Sequence, residues 1–265
     1  IRISLAYVIM IILIWIPMAR RKSLAFLDVG QGDCFVADTK SGAIIFDGGS
    51  SSEDQVGRYR ILPYMKYLGY QKIQIAVISH MDIDHYSGIK ELLEMGKIKY
   101  LGLPEIPKDE TMKKIIGIAK KRGTTIFYLS RGRQITTKDG SLKVLHPQKN
   151  SQMEKNAASL VMQRKILGYR VLLTGDVEKE GEEELLSEEL ERADILKAAH
   201  HGSKNSTSNE FLQKVQPKQT VISCGKQNRY GHPHLETIHR LQTYHTKIHR
   251  TDRSGAIIFF KRRDG

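Results

Sequence analysis

Residues 78–88 read ISHMDIDHYSG and place His80, Asp82, Asp84 and His85 within six positions. The residues ahead of them, Ile73 to Ser79, are largely apolar and β-branched, so a buried strand is expected there. In an extended chain, residues two apart point to the same side, and His80 and Asp82 therefore share a face at the strand's end. Asp84 and His85 are expected in the turn that follows, ahead of a helix beginning near Ser87. Two imidazoles and two carboxylates gathered this way suit a pair of divalent cations. The alternative is an acidic loop capping the next helix, but a cap needs only one Asp or Ser.

Working outward from this stretch, the chain alternates strands and helices. Ser23 to Val29, Cys34 to Asp38 and Ala43 to Phe46 read as a meander, with glycines where the backbone turns tightly. Asp28, Asp33 and Asp47 stand at strand ends. A helix is expected over Arg60 to Leu68, and others over Ser87 to Met95 and Thr111 to Lys121. The strands Tyr100 to Leu103 and Thr125 to Leu129 follow, then two more through Leu145. The second half follows the same logic. Strands over Ala158 to Ile166 and Tyr169 to Thr174 lead to Gly175 and Asp176. An acidic helix is expected over Lys179 to Arg192. A buried strand, Ile195 to Ala199, ends in His200-His201-Gly202-Ser203. Thr220 to Ser223 is a strand, and Tyr230-Gly231-His232-Pro233-His234 opens a helix that runs to Tyr244. Strands over Lys247 to Arg250 and Ala256 to Phe260 close the chain. This order, with acidic and His residues at strand ends, predicts an α/β fold of the αββα sandwich type, two sheets face to face with helices outside.

Composition narrows the partners. The 265 residues carry a net charge of +13, which suggests a polyanion such as nucleic acid or an anionic membrane surface. There are two cysteines, Cys34 and Cys224, with no CxxC pattern, so zinc-finger and disulfide-scaffold readings do not apply. Ile3 to Met18 is an uncharged run followed by Arg20, Arg21 and Lys22. It is slightly shorter than the roughly 20 apolar residues that span a bilayer and is read as the end of a transmembrane helix. Residues 1–22 are thus expected to be a membrane segment with a basic linker, and 23–265 one domain.

Six short motifs stand in a fixed order: FLDVGQGDCFV from Phe26, HxDxDH from His80, LLTGD ending at Asp176, AHHGSK from Ala199, YGHPH from Tyr230 and TDRSGA from Thr251. From about Leu24 onward the pattern resembles the metallo-β-lactamase superfamily. More narrowly it resembles the C-terminal hydrolase domain of the ComEC family, the membrane channels for DNA uptake in competence. The resemblance implies a site for two divalent metal ions. His80 and Asp82 would hold one; Asp84, His85 and His200 the other; Asp176 would bridge them. Paired cations of this kind acidify a shared water for in-line attack at phosphorus. Between the two histidines of the pair, His200 is chosen as ligand because the strand ends there. Two departures bear on the metals. Asp82 stands where the superfamily has His, which favours Mn²⁺ or a mixed site over two Zn²⁺. The further His usual between the cluster and the bridging Asp is missing from Asn156 to Val161, so Asn156 and Ser159 line that side. His146, next to Pro147, reads as structural.

Other groups complete the expectation. Asp84, His201 and His234 are the candidate catalytic residues, with one of His232 and His234 able to protonate the leaving oxygen. Ser203, Lys204 and His232 are candidate phosphate contacts. Asp33 and Asp47 are candidate outer partners that orient ligand histidines. The leading reading is a nuclease of a DNA-import channel that degrades the strand not imported, on the outer face of the cell membrane, with DNA and other competence proteins as partners. The alternatives are a phosphodiesterase or esterase for a small or cell-wall substrate, and a non-catalytic DNA-binding gating domain.

Overall fold

The structure, a computed structural model, describes residues 7, 21–153, 156–188 and 190–262. Its first sheet begins as an antiparallel meander of β1 (Ser23–Phe26), β2 (Phe35–Thr39) and β3 (Gly42–Phe46). A π-helical turn, Gly57–Ile61, and α1 (Leu62–Tyr67) carry the chain back to β4 (Ile73–Val77). From there α2 (Ile83–Glu94), β5 (Ile98–Pro104), α3 (Glu110–Lys121) and β6 (Thr125–Leu129) extend the sheet, and β3 to β6 run parallel. Parallel neighbours need such crossovers, which is why helices cover this sheet's outer face.

The second sheet starts antiparallel with β7 (Gln134–Thr137), β8 (Gly140–His146), β9 (Val161–Ile166) and β10 (Tyr169–Leu173). It turns parallel through β11 (Ile195–Lys197), β12 (Gln219–Ile222) and β13 (Lys247–Arg250). The connecting helices are α4 (Lys179–Leu186), α5 (Asn209–Val215) and α6 (Leu235–Thr243). A short α7 (Thr251–Ser254) then returns β14 (Ile257–Phe260) to the first sheet, beside β1. The strand orders are β14-β1-β2-β3-β4-β5-β6 and β13-β12-β11-β10-β9-β8-β7.

Period-two alternation sorts side chains into the layers. Leu24 and Phe26 pack between the sheets with Phe35, Ile44, Met162 and Leu173, while Ala25 faces the helices. Ile61, Met65, Ile89, Leu92, Met112 and Ile115 cover the first sheet. Leu185, Phe211, Leu212 and Leu241 cover the second. Each such burial contributes about 1.5–3 kcal/mol. The result is the expected αββα sandwich, and its parallel strands present their C-terminal ends at one edge. Two inter-sheet bonds close that edge: Leu160 N donates to Ser79 O and Ser223 Oγ to Gly32 O.

Several boundaries differ from expectation. The helix after the His/Asp cluster begins at Ile83, so Asp84 and His85 lie in its first turn rather than ahead of it. Asp82 is extended (φ −96°, ψ 148°) and forms its N-cap position, so Asp84 enters the first turn, where a carboxylate complements the helix dipole. The acidic helix stops at Leu186, not Arg192. Lys214 Nζ ties the carbonyls of Leu186 and Glu188 and turns the chain there. The strand expected from Ala158 begins at Val161, because His146 Nε2 holds the Ala157 carbonyl in a turn at 2.6 Å. Residues 251–254 are a helical turn rather than a simple loop. The membrane segment expected over Ile3 to Met18 falls, apart from residue 7, outside the described residues; among those described, no helix is long and apolar enough to cross a membrane.

Candidate metal centre

The end of β4 and the first turn of α2 meet the loop after β3 at van der Waals limits. A Cβ on Gly49 would lie 2.5 Å from the Ile83 carbonyl oxygen, so only glycine fits there. Gly48 N donates to His85 O, Gly49 N to Asp33 O and Asp33 N to Asp84 O. These bonds bring Asp33 and Asp47 under the His/Asp cluster, although they stand well apart from it in sequence.

Three histidines are oriented alike. His85 Nδ1 donates to Asp47 Oδ2 at 2.9 Å, and His201 Nδ1 donates to Ser223 O at 2.9 Å. The Ser79 hydroxyl gives its one proton to Asp47 Oδ2 at 2.8 Å, so His80 Nδ1, 3.0 Å away, donates to Ser79 Oγ. The outer nitrogen of each ring is thereby fixed as N–H. The inner nitrogens, Nε2 of His80, His85 and His201, are buried without a hydrogen-bond partner. Orphaned imidazole nitrogens backed by a carboxylate or carbonyl are what a metal site requires of its ligands.

Carboxylates meet these nitrogens. Asp176 Oδ2 lies 3.1 Å from His85 Nε2 and 3.3 Å from His201 Nε2. Asp84 Oδ2 lies 3.3 Å from His201 Nε2, and Asp82 Oδ2 3.7 Å from His80 Nε2. Asp33, His85, Asp176 and His201 offer ligand atoms that all lie within 4.8 Å of one another. Asp33 approaches from the outer side, 3.7 Å from His85 Nδ1 and 3.6 Å from His201 Nδ1. The donor set of three free imidazole nitrogens with Asp84 and Asp176 fits divalent cations of the first transition row.

One participant was absent from the sequence reading. Lys197, at the end of β11, is buried and pairs with Asp33, with Asp176 Oδ1 at 3.4 Å and with the Gly175 carbonyl at 3.0 Å. A lone lysine in the apolar strand leading into the His pair was the available signal.

The electrostatics follow. Burial disfavours the charge on Asp33, yet Lys197 and His201 hold it at about 2; Asp176 falls well below the carboxylate range against the same burial, through His201 and His85. Burial pulls His85 and His201 down, but the Asp176 carboxylate outweighs it and raises both well above the imidazole value. His80, buried and beside His85, drops to about 3. The cluster as a whole seeks positive charge.

The structure turns the His pair so that His201, not His200, enters the cluster. Both residues adopt left-handed backbone angles, φ 47° at His200 and 52° at His201. Such angles cost non-glycine residues about 1–3 kcal/mol and gather at functional sites. His200 stays partly exposed, 3.8 Å from Asp176 Oδ2, with Nδ1 2.8 Å from Glu178 Oε1. Ser203 is buried, and its hydroxyl accepts from Asn205 N. Lys204 is exposed, and its backbone N–H donates to His234 Nδ1 at 3.2 Å. His232 packs beside both, with ring centroids 5.4 Å from His200 and 6.1 Å from His201. Ser159 Oγ accepts from Asp176 N. A cleft of 1370 Å³ opens beside the cluster, lined by Asp82, Asn156, Glu178, Lys204 and Arg240 among others.

Residues 27–226 match the Metallo-beta-lactamase superfamily. The chain is 35% identical to ComE operon protein 3 of Bacillus subtilis (strain 168), over 97% of this chain and 35% of that protein. It is 30% identical to Competence protein ComA of Neisseria gonorrhoeae, over 90% of this chain and 32% of that protein. The chain thus spans about a third of the length of these relatives. Among solved structures, the metallo-beta-lactamase fold protein YhfI from Bacillus subtilis superposes with a TM-score of 0.61 over 89% of this chain and 99% of that one, at 14% identity, a likeness of fold.

Proposed function

The chain belongs to the metallo-β-lactamase superfamily, and from that premise we propose that it is a metal-dependent phosphodiesterase acting on DNA, the nuclease domain of a DNA-import channel. The observation that carries this reading is that three buried imidazole nitrogens without a hydrogen-bond partner, on His80, His85 and His201, face carboxylates of Asp82, Asp84 and Asp176. In this reading His80, Asp82, Asp84, His85, Asp176 and His201 would hold the divalent ions. Bound there, Mn²⁺ or Zn²⁺ would supply Lewis-acid activation of water and of the phosphoryl group.

The protein's own groups do the rest. Asp47, Ser79 and Ser223 fix the ring tautomers. His234 accepts the Lys204 amide at Nδ1, which leaves its proton on Nε2 for the departing oxygen. Lys204, exposed at the cleft, meets the phosphate as a point charge. The +13 net charge draws a polyanion to the domain. Relatives named for competence support DNA and other competence proteins as partners. Attachment to the cell membrane through residues 1–22, and placement on the extracytoplasmic face to degrade the non-imported strand, are further parts of the same proposal.

A second reading, a hydrolase for a small or cell-wall substrate, draws on the neighbouring cleft, whose Glu178, Glu180, Glu183 and Glu210 repel a polyanion. Incubating the purified chain with labelled DNA and Mn²⁺, Mg²⁺ or Zn²⁺ separates the two. Cleavage that Asp84→Ala lacks supports the nuclease. Turnover of a small phosphodiester with no cleavage and no inhibition by DNA supports the second reading. DNA binding without any turnover points to a gating domain.

A further inference from the structure

The YGHPH motif contains an aromatic residue for which the metal chemistry has no use. Tyr230 is 42% exposed, at the mouth of the site. Its ring stacks on His232 with centroids 5.7 Å apart and planes at 21°. His232 in turn lies 6.1 Å and 30° from His201, whose inner nitrogen enters the cluster. A continuous series of rings therefore leads from the cluster to the surface and ends in Tyr230.

The platform is held from below. Asn228 Nδ2 donates to the carbonyls of Gly225 and His232, and Asn228 Oδ1 accepts from the amides of Tyr230 and His232. Gly225 N donates to Gln31 Oε1, which ties the loop to the turn that carries Asp33. Arg229 is exposed, with its guanidinium 4.9 Å from the Tyr230 centroid and its Nη2 donating to the Tyr230 hydroxyl at 2.7 Å. Two further exposed apolar side chains, Ile83 and Leu235, directly adjoin Asp84 and His234 in the chain.

We propose that Tyr230 and Arg229 bind an unpaired nucleotide of single-stranded DNA next to the scissile phosphate. The base stacks on Tyr230, exchanging with the guanidinium, and Arg229 turns to the flanking phosphate. Aromatic rings stack on the faces of unpaired bases, which a duplex hides in its interior. The platform therefore selects single strands and frayed ends over intact duplex, and it rests on the nuclease reading for its substrate.

The test measures equilibrium binding of the full chain by fluorescence anisotropy, in chelator to prevent cleavage. The probes are a single-stranded oligonucleotide and a duplex hairpin closed at both ends. The expected result is that Tyr230→Ala weakens single-strand binding about tenfold and leaves duplex binding nearly unchanged, while Tyr230→Phe binds both as the unaltered chain does. Arg229→Ala weakens both and shallows their salt dependence by about one phosphate contact. Single-strand binding by Tyr230→Ala equal to that of the unaltered chain overturns the proposal, and so does an equal loss on both probes. If the unaltered chain cleaves DNA while Tyr230→Ala keeps full single-strand affinity, the platform fails and the nuclease reading stands. Tyr230-dependent binding without cleavage under any metal leaves the platform and removes the nuclease reading.

Discussion

Lys197 holds one oxygen of Asp176 and leaves the other to the metal cleft: Nζ lies 3.4 Å from Oδ1, while the inner nitrogens of His85 and His201 face Oδ2 at 3.1 and 3.3 Å. A carboxylate clamped by one oxygen cannot rotate away from the histidines. The same ammonium neutralises Asp33, which lies under both rings. Burial lowers Lys197's hold on its proton, but Asp33 and Asp176 raise it beyond the usual lysine value, so the charge is permanent.

Replacing Lys197 by Met keeps the volume and removes that charge. Two buried carboxylates lose their shared partner, and breaking such a pair from one side costs about 3–5 kcal/mol. The metal-free variant is expected to melt well below the unaltered protein, and Mn²⁺ is expected to recover part of the loss because it binds only the folded chain. Equal melting of the two proteins in chelator would show that Lys197 is not the counterion.

If the proposed metals bind, Asp47 is expected to act on them through His85. Asp47→Asn retains an oxygen for the Ser79 amide but presents N–H₂ to His85 Nδ1, which must then become an acceptor and move its proton to Nε2. The ligand nitrogen is thereby blocked. Titration calorimetry with Mn²⁺ or Zn²⁺ is expected to show affinity reduced about 10–100-fold, with the far-ultraviolet spectrum unchanged. Unaltered affinity would remove Asp47 from the metal centre.

The fold was legible because its signals are local. Strand-end acids and histidines, alternating with apolar runs, mark an αββα sandwich without any contact information. The cluster was legible for the same reason, since His80 to His85 fall within six consecutive positions. The choice within the His pair was not, because it depends on left-handed angles at both residues and on the carbonyl of Ser223, just beyond β12. Lys197 went unremarked because a lysine in an apolar strand usually carries its charge out to water; that it points inward follows only from where Asp33 and Asp176 meet. Helix ends erred where a distant side chain set them, as Lys214 does after Leu186.

Stability should depend on pH in a metal-specific way. In the metal-free protein His85 and His201 are raised, despite burial, by Asp176. Their contribution is complete below the unfolded value of about 6.5 and is lost as pH rises through the folded values. Asp33 and Asp176 are lowered, so theirs is present above about pH 4 and is lost as pH falls through the folded values. Melting in chelator is therefore expected to be highest between these limits and to decline into the alkaline range. Metal must displace the histidine protons, so added Mn²⁺ should stabilise more at pH 9 than at pH 6. A chelated protein more stable at pH 9 than at pH 6 would contradict this.

The His pair offers the sharpest separation of roles. His201 reaches Asp84 and Asp176 with a buried nitrogen that has no other partner, whereas His200 is partly exposed, 3.8 Å from Asp176, and engaged with Glu178. His201→Ala removes a proposed ligand and also leaves the Ser223 carbonyl without its donor, so the loss of metal affinity should exceed the roughly 10–100-fold that outer partners contribute. His200→Ala removes no inner nitrogen and should leave affinity nearly unchanged. Metal content after dialysis, measured together with calorimetric stoichiometry, reads both directly. If His200→Ala empties the site while His201→Ala remains loaded, the ligand is His200 and the left-handed turn must invert when metal binds. If both variants empty it, the pair acts together: His200, backed by Glu178 as His85 is by Asp47, supplies the imidazole that residues 156–161 lack.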